Sequence, residues 1–217
     1  RNDGNHDSMT TYFDQSAATW DNEPRRIALM KAVGEAILRE ARPTSDMDVL
    51  DYGCGTGLVS LFLLPHVRSV TGADNSPGML EVLQKKMAEG GIENMKVMHL
   101  NLEERPVPSD RYHMIVTSMT MHHVADTDKV LRAFHELLHP GGNLCIADLD
   151  TEPGIFHPPE AASSVHHHGF DRRWLKDQLA AAGFTEMHDV TAHTVTKPIV
   201  TGKERDFPVF LIVGRRR

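Results

Sequence analysis

The chain predicts an α/β fold: a doubly wound, mainly parallel sheet with helices on both faces. Three observations carry this. Short apolar runs alternate with longer stretches whose apolar residues recur at three- and four-residue steps, the pattern of βαβ units. The first short run opens into a glycine loop, "VLDYGCGTG" at residues 49–57, where a strand turns into a helix. The last two β-rich runs, "TEMHDVTAHTVTK" and "DFPVFLIVGRR", have no long helix between them, so they should form an antiparallel pair.

Each element has its own warrant. Residues 25–41 read as a helix because Ile27, Met30, Val33, Ile37 and Ala41 line one face, and Pro43 ends it. "MDVLDYG" is a buried strand closed by glycine, "LVSLFLLPH" an apolar helix that Pro65 should end or kink, and "VRSVTGAD" the second strand. In "NSPGMLEVLQKKMAEGG", Ser76 suits an N-cap, Pro77 the first helical position and Gly90-Gly91 the stop. "NMKVMHLN" and "YHMIVTSMT" are strands; "DTDKVLRAFHELLHPGG" is a helix with acids at its start and a Pro-Gly-Gly stop. "GNLCIADLD" is the fifth strand, and "DRRWLKDQLAAAGF" a helix ended by Gly183. Residues 151–170, with three prolines and the run "VHHHGF", form the one long irregular stretch. A loop of that length inside a compact domain is expected to be a substrate lid.

Composition bounds the rest. At 217 residues and 40% hydrophobic content, one domain over residues 1–217 is expected. No apolar run approaches the roughly 18 residues that a membrane helix requires, and the polar start lacks a signal-peptide core. A cytoplasmic protein is therefore expected. The net charge of −7, without a basic stripe, argues against nucleic acid as a partner. Two cysteines, Cys54 and Cys145, are too few for a disulfide scaffold and sit in no metal-binding spacing.

The glycine loop points to a ligand. In an open parallel sheet, ligands bind beyond the C-terminal strand ends, where the first strand-to-helix turn lies. The spacing is not the dinucleotide G-x-G-x-x-G: Leu58 stands where the third glycine is required. Asp51, at the mouth of the loop, disfavours a pyrophosphate and favours a cation. Asp74, at the end of the second strand, can accept both hydroxyl protons of a ribose; it can also serve as a plain helix-entry acid near Ser76. A ribose, no phosphate clamp and tolerance of positive charge together suit S-adenosylmethionine.

The order "VLDYGCGTG", "GADNSPGML", "SMTMHHVAD", "LLHPGG" resembles the class I S-adenosylmethionine-dependent methyltransferases, in particular the small-molecule branch that includes ubiquinone/menaquinone-type enzymes. The likeness covers residues 45–150 well and the remainder more loosely. It implies a Rossmann-like seven-stranded sheet of order 3-2-1-4-5-7-6 with strand 7 antiparallel, which agrees with the closing strand pair. It implies S-adenosyl-L-methionine as cofactor, S-adenosyl-L-homocysteine as product and a small-molecule methyl acceptor. Asp51, Gly53, Cys54 and Gly55 would hold the methionine part, Asp74 the ribose, and Asn75 would pack beside the adenine. Asn101 and Leu102 would meet the adenine edge, the Leu102 N–H facing a ring nitrogen; Thr117 and Ser118 would lie beside the methionyl group. It also implies that the N-terminal segment, residues 1–44, folds over the site as a helical lid with Tyr12 and Trp20. Two departures are Asn101, where the family commonly has Asp, and Tyr112-His113, where it commonly has Phe-Asp.

Methyl transfer needs alignment and water exclusion above all; a hydroxyl, thiol or acidic-carbon acceptor also benefits from a base. His122, His166, His167 and Tyr12 are the candidates by location. Adjacent histidines in "VHHHGF" rarely point one way, and no carboxylate stands at ligand spacing, so no metal is assigned there. The rivals are a non-catalytic S-adenosylmethionine-binding or regulatory module and, less favoured, an NAD-dependent oxidoreductase.

Overall fold

A computed structural model describes residues 12–217; the polar start, on which the expectation about a signal peptide rests, lies outside the described residues. The sheet has seven strands in the order β3-β2-β1-β4-β5-β7-β6. They are β1 (Asp48–Tyr52), β2 (Ser69–Asp74), β3 (Met95–His99), β4 (Tyr112–Ser118), β5 (Leu138–Leu149), β6 (Phe184–Pro198) and β7 (Glu204–Arg216). The first five pair in parallel, and β7 runs antiparallel to both β5 and β6. This is the expected topology. The strand order reverses between β1 and β4, which opens a crevice at their C-terminal ends.

The helices divide between the two faces. Residues 12–16 (α1), Pro24–Ala41 (α2), Leu58–Leu63 (α3) and Pro77–Glu89 (α4) lead in chain order; Thr127–Leu137 (α5) and Arg172–Ala181 (α6) follow. Val33 and Ile37 of α2, Leu63 of α3 and Leu83 of α4 pack with Val49, Val116 and Leu211 on one face. Leu131 and Phe134 of α5 and Leu175 and Leu179 of α6 pack with Leu50, Ile115 and Ile212 on the other. Central strands buried on both faces explain the near-continuous apolar runs.

Local chemistry sets the helix ends. Ser76 caps α4, its Oγ accepting the Met79 N–H at 3.2 Å, with Pro77 at the first position. Asp126 and Asp171 cap α5 and α6 in the same way. Pro65 ends α3 as expected, the chain continuing as a 3-10 turn over Leu64–His66. Two expectations need correction. The buried face of α2 carries Leu29 rather than Ile27, which is 45% exposed: the stripe through Val33, Ile37 and Ala41 begins two residues after the expected start. And α5 ends at Leu137, before the Pro-Gly-Gly run, which enters β5 through a register shift between Tyr112 and Met114 of β4. The departure at His113 is resolved locally: its Nδ1 accepts the Asp48 N–H at 3.0 Å and so ties β1 to β4.

Candidate functional site

Two adjoining cavities occupy the crevice, of about 930 and 980 Å³, both open to solvent. The first lies on the glycine loop. The N–H groups of Gly53 and Cys54 both reach the Ala73 carbonyl, at 2.8 and 3.0 Å, which folds the loop over the end of β2. Gly53 has φ +73°, and an added Cβ would stand 2.2 Å from the Thr120 hydroxyl oxygen. Gly55 differs: at φ +53° its missing side chain would meet nothing within 4 Å. Its bareness leaves backbone exposed for a ligand to touch, which is the use glycine serves in such loops.

Two acids flank that opening. Asp74 Oδ2 accepts the Gly55 N–H at 2.8 Å and Oδ1 accepts the Ser76 N–H at 2.9 Å, so each oxygen keeps a lone pair toward the cavity it lines. Burial raises its pKa, against the N–H groups of Ser76, Gly55 and Asn75, which lower it. Asp51 is buried and takes a 2.5 Å hydrogen bond from Ser60 Oγ. Burial, with the Asp74 charge adding, pushes its pKa up to about 7. A buried acid this poorly compensated attracts a cation.

The expected cofactor residues divide. Asp51, Gly53, Cys54, Gly55, Asp74, Asn75, Asn101 and Ser118 all line the first cavity. Leu102 and Thr117 do not. Leu102 is 1% exposed and its N–H is already given to Tyr52 Oη at 3.1 Å, so it has none to offer an adenine. Leu100 and Glu103 line the cavity in its place. Thr117 is buried and points to the opposite face of β4 from Ser118, as alternation along a strand requires. Asn101 Oδ1 accepts the Glu103 N–H at 3.0 Å, a local turn that shapes the rim.

The N-terminal segment closes one side. Phe13 and Trp20 line both cavities and Tyr12 the second. The segment is pinned at two points. Asp14 Oδ1 accepts from Ser76 Oγ at 2.5 Å and from the Gly78 N–H at 2.8 Å, and Asp21 accepts from Thr56 Oγ1 at 2.6 Å and pairs with Lys86 at 2.5 Å.

The second cavity is lined by Met30, Met119, Phe156, Lys197 and the rings of His122, His123 and His157. His122 is 1% exposed; its Nδ1 lies 2.6 Å from Asp148 Oδ1 and its Nε2 lies 3.0 Å from His157 Nε2. His123 gives its Nδ1–H to the Ser164 carbonyl at 2.8 Å. Burial drops the pKa of both His123 and His157 to about 3, so these rings are neutral near pH 7. His157 arrives on the 151–170 loop, where Glu152 Oε2 accepts the N–H groups of Ile155 and Phe156 and shapes the turn before it.

Of the four expected proton acceptors, His122 and Tyr12 line the second cavity; His166 and His167 line neither. Their backbone N–H groups instead hold the His122 carbonyl at 2.9 and 3.0 Å, and the His167 ring is spent on the Val124 carbonyl. Histidines 166–168 therefore do not converge. The residues that do converge with His122 include Asp148, read only as part of a strand, and His157, one of 14 histidines with no neighbour to mark it.

Comparison with known proteins adds the family. Residues 49–142 match the family described as "Methyltransferase domain". An uncharacterized methyltransferase of Schizosaccharomyces pombe is 36% identical over 137 residues, 58% of this chain and 48% of that one. A demethylmenaquinone methyltransferase of Listeria monocytogenes is 32% identical over 111 residues, 50% of this chain and 46% of that one. The chain thus spans about half the length of these relatives. Among solved structures, a Haemonchus contortus phosphoethanolamine N-methyltransferase in complex with S-adenosyl-L-methionine superposes with a TM-score of 0.68 at 14% identity, over 84% of this chain and 52% of that one. Matched segment, strand order and motif order agree: residues 49–142 match a methyltransferase domain, carried on a seven-stranded sheet of order β3-β2-β1-β4-β5-β7-β6.

Proposed function

We propose that this protein transfers a methyl group from S-adenosylmethionine to a small-molecule acceptor, with the donor along the glycine loop and the acceptor in the histidine-lined cavity. One observation carries the reading. Around the bare Gly55 backbone stand Asp74, with a free lone pair on each oxygen for a ribose, and Asp51, a buried acid that wants a cation. An adenosine joined to an amino acid supplies both. Bound S-adenosylmethionine brings an electrophilic methyl on a sulfonium that leaves as a neutral thioether.

The chain's own work is alignment and drying. Ser118 and Met119 line the passage at the end of β4, and Phe13, Trp20 and Met30 wall both cavities. Such a wall holds donor and acceptor in line and keeps water out. We read residues 12–44 and 151–170 as two lids on a single domain; the first eleven residues of the expected 1–44 lid lie outside the described residues. The pins at Asp14 and Asp21 support the first, and the approach of His157 to His122 supports the second. That His122 and Tyr12 line the second cavity supports them as the side chains that take an acceptor proton.

The acceptor class rests on the named relatives, which act on demethylmenaquinone and phosphoethanolamine. No helix among the described residues is long and apolar enough to cross a membrane. The buried free thiols Cys54 and Cys145 and the net charge of −7 support a cytoplasmic protein with no nucleic-acid partner.

Thermal unfolding with S-adenosylhomocysteine, and separately with NAD, tests the reading. Ligand at about a hundred times its Kd stabilises by roughly 2.7 kcal/mol. A rise with the homocysteine compound alone is expected; a rise with NAD alone, or none, overturns the cofactor assignment.

A further inference from the structure

Three imidazoles meet where the 151–170 loop closes on the turn after β4. We propose that His122, His123 and His157 form a mononuclear site for a divalent transition metal, zinc by its ligand chemistry, with an open coordination position facing the acceptor cavity.

Hydrogen bonds outside the cluster fix what each ring presents. The Asp148 carboxylate can only accept, so His122 carries its proton on Nδ1 and turns an Nε2 lone pair inward. The Ser164 carbonyl can only accept, so His123 does the same. His157 Nε2 stands 3.0 Å from His122 Nε2, and one nitrogen from each of the three rings falls within 4.8 Å of the others. Tetrahedral zinc with Zn–N bonds near 2.0–2.1 Å sets its nitrogens roughly 3.3 Å apart. The closest pair is near that spacing, and small rotations of the His123 and His157 rings bring in the third.

The surroundings agree independently. A metal-bound histidine almost always gives its other N–H to a carboxylate or a backbone carbonyl, which fixes the tautomer and raises ligand basicity. Asp148, wholly buried, and the Ser164 carbonyl fill these two posts. Asp148 Oδ2 also accepts the His122 backbone N–H at 3.2 Å, and the His166 and His167 N–H groups hold the His122 carbonyl, so the ring is fixed from both ends. Three imidazoles without a carboxylate in direct reach suit zinc or a neighbouring transition metal rather than magnesium or calcium, which take oxygen ligands. Three protein ligands leave a fourth position, as in catalytic zinc sites. It opens onto the cavity walled by Met30, Phe156 and Lys197.

That position fits an acceptor hydroxyl or thiol, whose pKa a metal lowers. This use rests on the methyl-transfer reading; the metal site itself does not. It would also occupy His122 Nε2, leaving deprotonation to the metal rather than to that ring.

The test uses the full chain without a histidine tag, loaded with Zn2+ or Co2+ and dialysed over chelating resin. One equivalent retained per chain, with the intense visible absorption of four-coordinate Co2+, is expected. His157→Ala and His123→Ala should each weaken retention at least tenfold, and Asp148→Asn roughly 10–100-fold. The double variant His166→Ala/His168→Ala should retain metal like the parent. Circular dichroism checks that each variant is folded, and His157→Ala, on the loop, is the least intrusive. No retention by the parent, or equal retention in every variant, overturns the site and leaves a hydrogen-bonded histidine pair. S-adenosylhomocysteine binding, measured by calorimetry on the same samples, separates failure of the metal site from failure of the cofactor assignment.

Discussion

The two cavities share walls at Phe13, Trp20, Met30, Met119 and His123, yet they are built in opposite ways. The first rests on strand ends and on backbone from neighbouring segments: Asp51 stands one residue before the end of β1, Asp74 closes β2, and Gly55 gives its N–H to Asp74. The second gathers side chains from α2, the turn after β4, the 151–170 loop and β6. A site cast from the sheet's own geometry tolerates little change in any one of its groups. A site assembled from loops can change residue by residue. The expected effects of substitution follow that division.

The largest effect belongs to Asp74. Its two oxygens already anchor Gly55 and Ser76, and in the proposed complex they also accept two ribose hydroxyls. Hydrogen bonds to a charged group contribute about 1.5–3 kcal/mol each. Asp74→Ala should therefore weaken S-adenosylhomocysteine by at least about 3 kcal/mol, over a hundredfold in Kd by calorimetry. An unchanged Kd would show that Asp74 is a helix-entry acid and no more.

Asp51 should trade binding against stability. Its folded pKa of about 7 stands above the ordinary 3.8. Below the lower value the group is neutral in both states and costs nothing. As pH rises from there toward 7, the unfolded chain ionises while the folded one stays protonated, so stability is lost. Above 7 the full penalty applies, with an upper bound of roughly 4 kcal/mol. Asp51→Asn should raise the midpoint of urea unfolding at pH 8 and gain little at pH 4. In the parent, the α-ammonium of the bound ligand draws the proton off Asp51, so S-adenosylhomocysteine affinity should climb as pH rises to about 7 and then level. A gain from Asp51→Asn that is equal at both pH values would mean burial is not the cause.

Gly55→Ala isolates the value of a bare backbone. The new methyl meets no protein atom, so the cost to folding is the positive φ alone, roughly 1–2 kcal/mol. The same methyl projects into the first cavity, and cofactor affinity should fall about tenfold or more. A stability loss with unchanged affinity would move the ligand away from this loop.

These contrasts also explain how much was readable in advance. Periodicity located every strand and every helix from α2 onward, and the closing strand pair fixed the antiparallel end of the sheet, because those signals are local and repeat. Asp51, Gly55 and Asp74 were readable because the fold class alone says where strand ends converge. Leu102 and Thr117 were misplaced for a local reason: adjacent residues on an extended chain face opposite ways, and a backbone N–H can be spent on a distant side chain, here Tyr52. The histidine trio was not readable. His122 and His157 are 35 residues apart, and no spacing rule links a strand-end turn to a proline-rich loop. Asp148 was hidden within "IADLD", where a buried acid in a strand carries no mark of the ring it will meet.

The smallest expected effect tests the loop-built cavity from its outside. His166 is a candidate by its place on the 151–170 loop, and it is exposed and lines neither cavity. What it gives is a backbone N–H, which with that of His167 holds the His122 carbonyl. His166→Ala keeps that N–H and removes only a ring in solvent. Stability should stay within about 0.5 kcal/mol, and turnover on any acceptor found should stay within about twofold. His166→Pro removes the N–H itself and leaves the carbonyl above the buried ring with one donor in place of two. Loss of one such bond costs about 0.5–1.5 kcal/mol, and the altered backbone near His122 should lower turnover more than it lowers cofactor affinity. If alanine is instead as harmful as proline, the 166 ring does enter the reaction, and the loop must close further over the second cavity than the structure shows.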